Sequence, residues 1–332
     1  MTLPPSPPSE PLRMPDVRIA IVIPCFNEAG AIAQVIADCR AVLPAAAIHV
    51  FDNSSTDGTA DVARAHGARV THVALRGKGN VVRRMFADVE ADVYLMVDGD
   101  ATYDVTHAQQ MVERLLDGGL DMIVGTRFDD GRNPQTYRPG HRIGNKLLTS
   151  AVSALFGGHF SDMLSGYRVF SRRYAKSFPA AARGFETETE LTVHALELRM
   201  PYAEQPVPYL ARAEGTQSKL STFRDGWRIL GTILRLFISE RPLAFFTAIA
   251  AVLALLSIGL VVPLAVHYWQ TGLVPRLPTA VLAVGVMLTA LLAQVCGAIL
   301  HTVTLGRQEA KRLVYLSIPA PGPSRPTARD GA

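Results

Sequence analysis

The chain has 332 residues, 48% of them hydrophobic, and a formal net charge of +4; that length suffices for one large domain or two with a substantial core. Its Lys and Arg residues are dispersed rather than gathered into a stripe, which speaks against nucleic acid and leaves phosphate or anionic lipid as the charged partner. Cys25, Cys39 and Cys296 form no CxxC pair and no His cluster accompanies them, so buried reduced thiols are expected rather than a zinc site or a disulfide framework.

Residues 1–16 are rich in proline and serine and lack an apolar h-region, so they read as a disordered leader and not a secretory signal, which keeps the following domain in the cytosol. From Val17 strand and helix patterns alternate. Val17 to Pro24 is a short apolar run, and Ile32, Val35, Ile36, Cys39, Val42 and Leu43 follow at helical spacing. Ile48 to Phe51 reads as a second strand, Asp57 as the cap of a helix ending near Gly67, and Ala68 to His72 as a third strand. Gly79 to Val89 is a predicted helix, Val93 to Val97 a fourth strand, Thr106 to Leu116 a helix and Met122 to Gly125 a fifth strand. Such alternation predicts a mostly parallel, doubly wound sheet, a Rossmann-like α/β fold.

Polar residues cluster where these strands end: Asn27 and Glu28, Asp52 and Asn53, then Asp98 and Asp100. In open α/β sheets ligands occupy the crevice outside the carboxyl ends of the strands. Asp98-Gly99-Asp100 taken alone is equally a solvated turn, and Asp52 to Thr59 equally an Asx-rich capping loop. Their coincidence at one edge points to a nucleotide site, with both carboxylates facing one hard cation across a glycine that permits close approach. No dinucleotide-binding glycine fingerprint and no GxxxxGK[ST] loop is present, which argues against a dehydrogenase or P-loop ATPase. Lys78, between Gly77 and Gly79, is either an exposed turn lysine or one that approaches the nucleotide.

Several segments, in order from about Val17 to Ser221, resemble family-2 glycosyltransferases of the GT-A fold, especially polyprenyl-phosphate sugar synthases related to dolichol-phosphate mannose synthase. They are Pro24 to Glu28, Asp52 to Thr59, Lys78-Gly79, Asp98-Gly99-Asp100, Gly125-Thr126-Arg127, Asp162 to Arg168, and Arg212 to Gly215 with Ser218 to Leu220. The resemblance implies that Pro24, Asn27, Glu28 and Asp52 hold the base and ribose of a UDP- or GDP-sugar, with Lys78 nearby. It implies further that Asp98 and Asp100 bind Mg²⁺ or Mn²⁺ on the diphosphate, that Arg127, with Arg142 as a second candidate, meets the acceptor phosphate, and that Arg212 and Lys219 lie on a closing basic loop. Asn53-Ser54 stands where Asp-Gly is commoner, and Ala101-Thr102-Tyr103 where Leu-Gln is frequent after the metal motif. Asp162 is expected either to orient the acceptor or assist the metal, or only to cap the loop at Ser165-Gly166. Glu190 matches an acidic position of the family, while Glu186, Glu188 and Glu190 also suit the start of a helix.

The last third is apolar. Leu243 to Val266 and Thr279 to Leu300 carry no charged side chain, and about 20 such residues cross a bilayer. Trp269 and Tyr268 in the short link suit an interfacial belt. Arg224, Arg228, Arg235 and Arg241 before the first span, with Arg307, Lys311 and Arg312 after the second, place both flanks in the cytosol. Gln294 and Cys296 are expected to serve helix packing. Phe223, Trp227, Leu230, Leu234, Phe237 and Ile238 recur at helical spacing, either as an interfacial helix or as one packed on the preceding domain. The expected layout is a leader (1–16), a GT-A catalytic domain (17–221), a juxtamembrane amphipathic helix (222–241), a two-helix transmembrane hairpin (242–305) and a cytosolic tail (306–332). The expected function is inverting transfer of a sugar to a polyprenyl phosphate, undecaprenyl or dolichyl, at the cytosolic face of the inner membrane. A homo-oligomer is an admissible assembly. The competing readings are a membrane polysaccharide synthase, whose Gln-x-x-Arg-Trp motif is missing, and a non-catalytic membrane-tethered scaffold.

Overall fold

The computed structural model describes residues 17–128, 141–184, 186–210, 222–274 and 276–320. The apolar runs become strands and the periodic segments helices: β1 (Ile19–Cys25), α1 (Ile32–Val42), β2 (Ala47–Asp52), α2 (Thr59–Ala65), β3 (Arg69–His72), α3 (Lys78–Asp88), β4 (Val93–Met96), α4 (Ala108–Asp117) and β5 (Met122–Phe128). There follow α5 (His141–Phe156), β6 (Arg168–Ser171), α6 (Arg172–Ser177), α7 (Thr187–Glu197), β7 (Tyr202–Pro208), α8 (Thr222–Glu240), α9 (Pro242–Thr271) and α10 (Leu277–Leu316). The strands form one sheet in the order β3-β2-β1-β4-β6-β5-β7. Only β6 runs antiparallel to its neighbours, so the expected mostly parallel, doubly wound α/β sheet is what forms.

Alternation along β1 explains why helices cover both faces. Ile19, Ile21 and Ile23 join a core with α1 and α4, while Ala20 and Val22 join one with α3, α6 and α7, where Phe86, Phe170 and Tyr174 pack together. The parallel register sets Cys25 of β1 beside Asp52 of β2 and Val22 of β1 beside Met96 of β4. The three acidic strand ends therefore emerge along one edge. β6 and β7 were not foreseen, and the reason is local. β6 carries Arg168 in a four-residue strand, and β7 contains Pro206 and Pro208, which a strand tolerates at the sheet edge it occupies. Asp57 precedes the cap of α2, which is Gly58, and its carboxylate accepts from the Thr59 N–H at 3.0 Å.

The amphipathic helix α8 is both packed and exposed. Ile229 and Ile233 bury against Val152 and Phe156 of α5 and Val193 of α7, whereas Trp227, Leu230 and Leu234 of the expected stripe face outward. α9 and α10 are long and apolar enough to cross a membrane, and only 11% and 17% of their most apolar windows is buried. A core helix of a soluble domain would be mostly enclosed, so these surfaces suit hydrocarbon. Their buried side chains are small: Ala250 and Ser257 on α9, and on α10 Ala283, Ala290, Gly297 and Thr304, the last donating to the Ser239 carbonyl of α8. The last four recur every seventh residue, the period of a helix-helix seam. Ser257 Oγ donates to the Ala283 carbonyl at 2.8 Å. Gln294 and Cys296 are not part of that seam; both are exposed, contrary to the packing role and buried thiol expected for them, because the seam's period selects Ala290 and Gly297 instead. A Cβ on Gly297 would lie 2.8 Å from the Phe246 Cβ. Gly297→Leu is therefore expected to destabilise the hairpin by about 1–3 kcal/mol, read as earlier thermal unfolding in detergent, with an unchanged transition counting against this packing.

α10 does not stop at the expected span. It continues to Leu316 into what sequence assigned to a tail, and its end docks on the sheet domain. Lys311 Nζ lies 2.8 Å from Glu197 of α7, Arg307 lies 2.9 Å from Glu240 of α8, and Tyr315 Oη donates to Asp121 at 2.7 Å. The hairpin and the domain are thereby joined by a rigid strut.

Candidate active site

The floor of the site is built by loops that satisfy one another's backbone. Asn27 adopts φ 52°, a left-handed conformation that Asn tolerates, and its Oδ1 accepts the Thr56 N–H at 2.8 Å. In return Ser55 Oγ accepts the Asn27 N–H at 2.9 Å, Thr59 Oγ1 accepts from Glu28 at 2.9 Å, and Asp57 accepts from Ala29 at 3.0 Å. The Asp52–Thr59 segment is thus a capping loop, and it fixes the residues beyond β1 as well. Asn53 ties in a third loop: its Oδ1 accepts the Gly77 N–H at 2.6 Å and its amide donates to the carbonyls of Val73 and Leu75. Ser54 takes φ 61°, the conformation that explains why glycine is at home there.

Above this floor opens a cavity of about 290 Å³. Pro24, Glu28, Asn53, Lys78, Asp98, Asp100, Arg127, Glu188 and Tyr209 are among the residues that line it. Gly99 lets the Asp98–Asp100 turn lie on β1, since a Cβ there would come within 2.5 Å of Cys25 Sγ. Asp100 is 8% exposed and its Oδ1 accepts from Thr102 Oγ1 at 2.6 Å. Lys78 is not the exposed turn lysine: its Nζ lies 2.6 Å from Asp98 Oδ1 and 2.7 Å from Glu188 Oε1. Burial opposes its charge, but the Asp98 and Glu188 carboxylates outweigh that and hold it well above the ordinary lysine range.

Arg127 reaches the cavity from the end of β5, and Asp162 lies beneath it. The guanidinium makes a fork with that carboxylate, Nε to Oδ2 and Nη2 to Oδ1, both at 2.7 Å, while Asn145 donates to Oδ1 at 2.8 Å. Asp162 is thus neither on the cavity wall nor a cap for Ser165-Gly166. Burial would raise its pKa, yet Arg127 holds the carboxyl below the usual range. Ser165 instead donates to the Gly125 carbonyl at 2.5 Å, and the Gly166 N–H donates to Tyr103 Oη at 3.0 Å. Tyr103, the departure after the acidic pair, is what pins this loop. A Cβ on Gly166 would collide with Asp98 Oδ2 and come within 2.9 Å of Lys78 Nζ, so the loop closes over the acidic edge only as glycine.

Arg168 underlies the whole corner and no sequence signal assigned it a role. Fully buried, it donates to the carbonyls of Ser165 at 2.9 Å, Glu188 at 3.2 Å and Met163, and to Thr192 Oγ1 at 3.1 Å. Glu188, also missed as a site residue, could have been suspected from its place in the acidic run that starts α7. Its neighbour Glu190 faces away and accepts the N–H groups of Ala181 and Ala182, each at 2.8 Å. Asp52 is buried at the end of β2 with Oδ2 accepting from Ser55 at 3.3 Å, and its Oδ1 has no hydrogen-bond partner. Arg212 and Lys219 lie outside the described residues, and Arg142 is placed only by its backbone in the first turn of α5.

Among the described residues no group of three or more His, Cys, Asp or Glu side chains could hold a metal ion. Asp98 and Asp100 nevertheless fit a cation of the Mg²⁺ type, which uses one or two carboxylates and completes its shell with water and substrate phosphate oxygens. Such a site depends on a phosphorylated ligand entering the cavity.

The profile of glycosyl transferase family 2 matches residues 20–178. The glycosyltransferase AglJ of Haloferax volcanii is 32% identical over 300 residues, 90% of this chain and 98% of that protein. A dolichyl-phosphate hexose transferase of the same organism is 28% identical over 223 residues, covering 67% of this chain and 95% of that one. Among solved structures, glucosyl-3-phosphoglycerate synthase from Mycobacterium tuberculosis in complex with Mn²⁺, UDP-glucose and phosphoglyceric acid superposes with a TM-score of 0.54. It is 24% identical and covers 68% of this chain and 81% of that one.

Proposed function

The chain belongs to glycosyl transferase family 2, and from that membership we propose that it moves a sugar, with inversion, from a UDP- or GDP-sugar to a polyprenyl phosphate at the cytosolic face of the inner membrane. The observation that carries the reading is one cavity in which two strand-end carboxylates face an arginine already forked on Asp162, on a domain strutted to two membrane-length helices. The similarity to a dolichyl-phosphate hexose transferase supports the lipid acceptor, and the manganese and UDP-glucose of the solved relative support a cation-borne diphosphate donor.

The base and ribose would lie over Pro24 and Glu28, while Asn27 and Asp52, which do not line the cavity, would hold the surrounding loops through Thr56 and Ser55. Asp98 and Asp100 would hold Mg²⁺ or Mn²⁺ on the diphosphate, where the cation offsets the charge gathering on the leaving group. Lys78 adds a fixed positive charge at the same wall, kept in place by Glu188. A phosphate oxygen of the lipid then forms the new bond at the anomeric carbon as the bond to the nucleoside diphosphate breaks on the opposite face. That nucleophile is anionic near neutral pH, so a strong general base is not required. The work left to the protein is orientation. Arg127 is suited to it because it brings a permanent positive charge to the cavity wall, and Asp162, itself held by Asn145, acts as the positioning residue that fixes the guanidinium. Residues 17–221 would form the catalytic unit, with 222–241 on the membrane surface and 242–305 within it.

Membranes containing the protein, incubated with a panel of labelled sugar nucleotides, are expected to yield label in extracted lipid with the mass of a polyprenyl monophosphate sugar. Label in polymer, or no turnover of any donor, would overturn the reading. Arg127→Ala should raise the KM for polyprenyl phosphate by about 10-fold or more, while donor affinity changes little. Unchanged acceptor dependence would remove Arg127 from the acceptor site.

A further inference from the structure

A second cavity, of about 730 Å³, lies where α7, the start of α9 and the emerging part of α10 meet, and it shares no residue with the catalytic cavity. Its wall changes character along its height. Leu243 and Ala244 belong to the first turn of α9, and His301 to the end of the apolar part of α10, while Arg312 stands three turns further along that helix. Arg199, on the turn after α7, and Arg241, just before α9, complete a group of three guanidiniums around one space. None of the three has a carboxylate partner among the described residues; Arg241 makes one long contact, 3.4 Å, to the Phe156 carbonyl. The two carboxylates in the wall, Glu197 and Glu240, are paired with Lys311 and Arg307 through one oxygen each, their other oxygens having no hydrogen-bond partner among the described residues. An excess of unneutralised positive charge therefore faces a pocket that opens beside the apolar surfaces of both long helices.

We propose that this cavity binds the headgroup of an anionic phospholipid. The guanidiniums would take the phosphodiester and the acyl chains would lie along α9 and α10. Arginine forks suit phosphate oxygens, and basic pockets beside membrane helices on the cytosolic side recognise anionic headgroups. The lipid would brace the strut that sets the catalytic cavity at the membrane surface. The inference rests on the reading that α9 and α10 cross the membrane.

The test uses the full chain and the triple variant Arg199→Gln, Arg241→Gln, Arg312→Gln, with Arg69→Gln on the exposed edge strand as a charge control. Flotation with phosphatidylcholine vesicles reads the hairpin alone. Native mass spectrometry after extraction from vesicles containing phosphatidylglycerol reads the cavity. The expected result is normal flotation of all three proteins, with phosphatidylglycerol retained over phosphatidylcholine by wild type and by the control, and that preference reduced about tenfold or more in the triple variant. Normal flotation with equal retention by wild type and triple variant would overturn the site alone. Failure of wild type to float would overturn the membrane reading and this site with it. Displacement of the retained lipid by millimolar glycerol 3-phosphate would assign the cavity to a soluble phosphoester and overturn the lipid occupant.

Discussion

Asp98→Ala and Asp100→Ala are each expected to lower sugar transfer by about 10³-fold, the several kcal/mol that a diphosphate-bound cation contributes, while the chain still folds and floats with membranes. The two should differ in detail. Asp100 accepts from both the hydroxyl and the N–H of Thr102, so its loss leaves that residue without its acceptor. Asp98 also neutralises Lys78, whose charge would then fall wholly to Glu188 at 2.7 Å. Asp98→Ala should therefore pull Lys78 toward Glu188 and weaken donor binding, whereas Asp100→Ala should act chiefly on turnover. A labelled-transfer assay across donor concentrations separates the two effects. Substantial residual activity in both variants would contradict a metal role for the pair.

The second large effect is expected far from any ligand. Arg168→Met removes a fully buried guanidinium on which three carbonyls and a threonine hydroxyl converge. Burial already pulls the pKa of this arginine down, and among the described residues no carboxylate is hydrogen-bonded to it, so its value lies in satisfying acceptors rather than in an ion pair. Methionine would fill the space and leave the Ser165 and Met163 carbonyls without this donor, at about 1–3 kcal/mol for each and about 2–6 kcal/mol in all, while Thr192 Oγ1 still donates to the Glu188 carbonyl. Because the same carbonyls belong to the Met163–Ser165 loop and to Glu188, activity should fall with stability. Arg168→Lys should not rescue either, since one ammonium cannot reach a fork of acceptors. Thermal unfolding in detergent, read beside transfer activity, checks this; a lysine variant with wild-type stability would contradict it.

Much of the sheet was legible because its buried parallel strands are continuous apolar runs, and their ends could be aligned before any contact was known. That is why Glu28, Asp98 and Asp100 were found as candidates; they line one cavity with Pro24, Lys78 and Arg127, which the resemblance to family-2 glycosyltransferases supplied, whereas Asn27 and Asp52 are outside its lining. Residues whose function is to hold others left weaker traces. Tyr103 and Glu188 act through partners 63 and 110 residues away in sequence, Gly166 and Lys78 respectively, and no periodicity encodes such pairs. Asp162 showed its importance by motif but not its partner, Arg127, which only the packing of the loop against β5 brings within 2.7 Å. β7 was hidden by its prolines and the outer part of α10 by its charges, because a helix that leaves a membrane and docks on a protein looks in sequence like a polar tail.

The central claim, that Asp98 and Asp100 receive a cation together with a nucleoside diphosphate, is tested most directly by Mn²⁺ uptake. Electron paramagnetic resonance of free Mn²⁺ with the purified chain, with and without UDP or GDP, measures it. The expected result is protein-dependent loss of the free signal when the matching nucleotide is added, absent in Asp98→Ala and Asp100→Ala. Equal uptake by wild type and both variants, or full transfer in the presence of chelator, would contradict it.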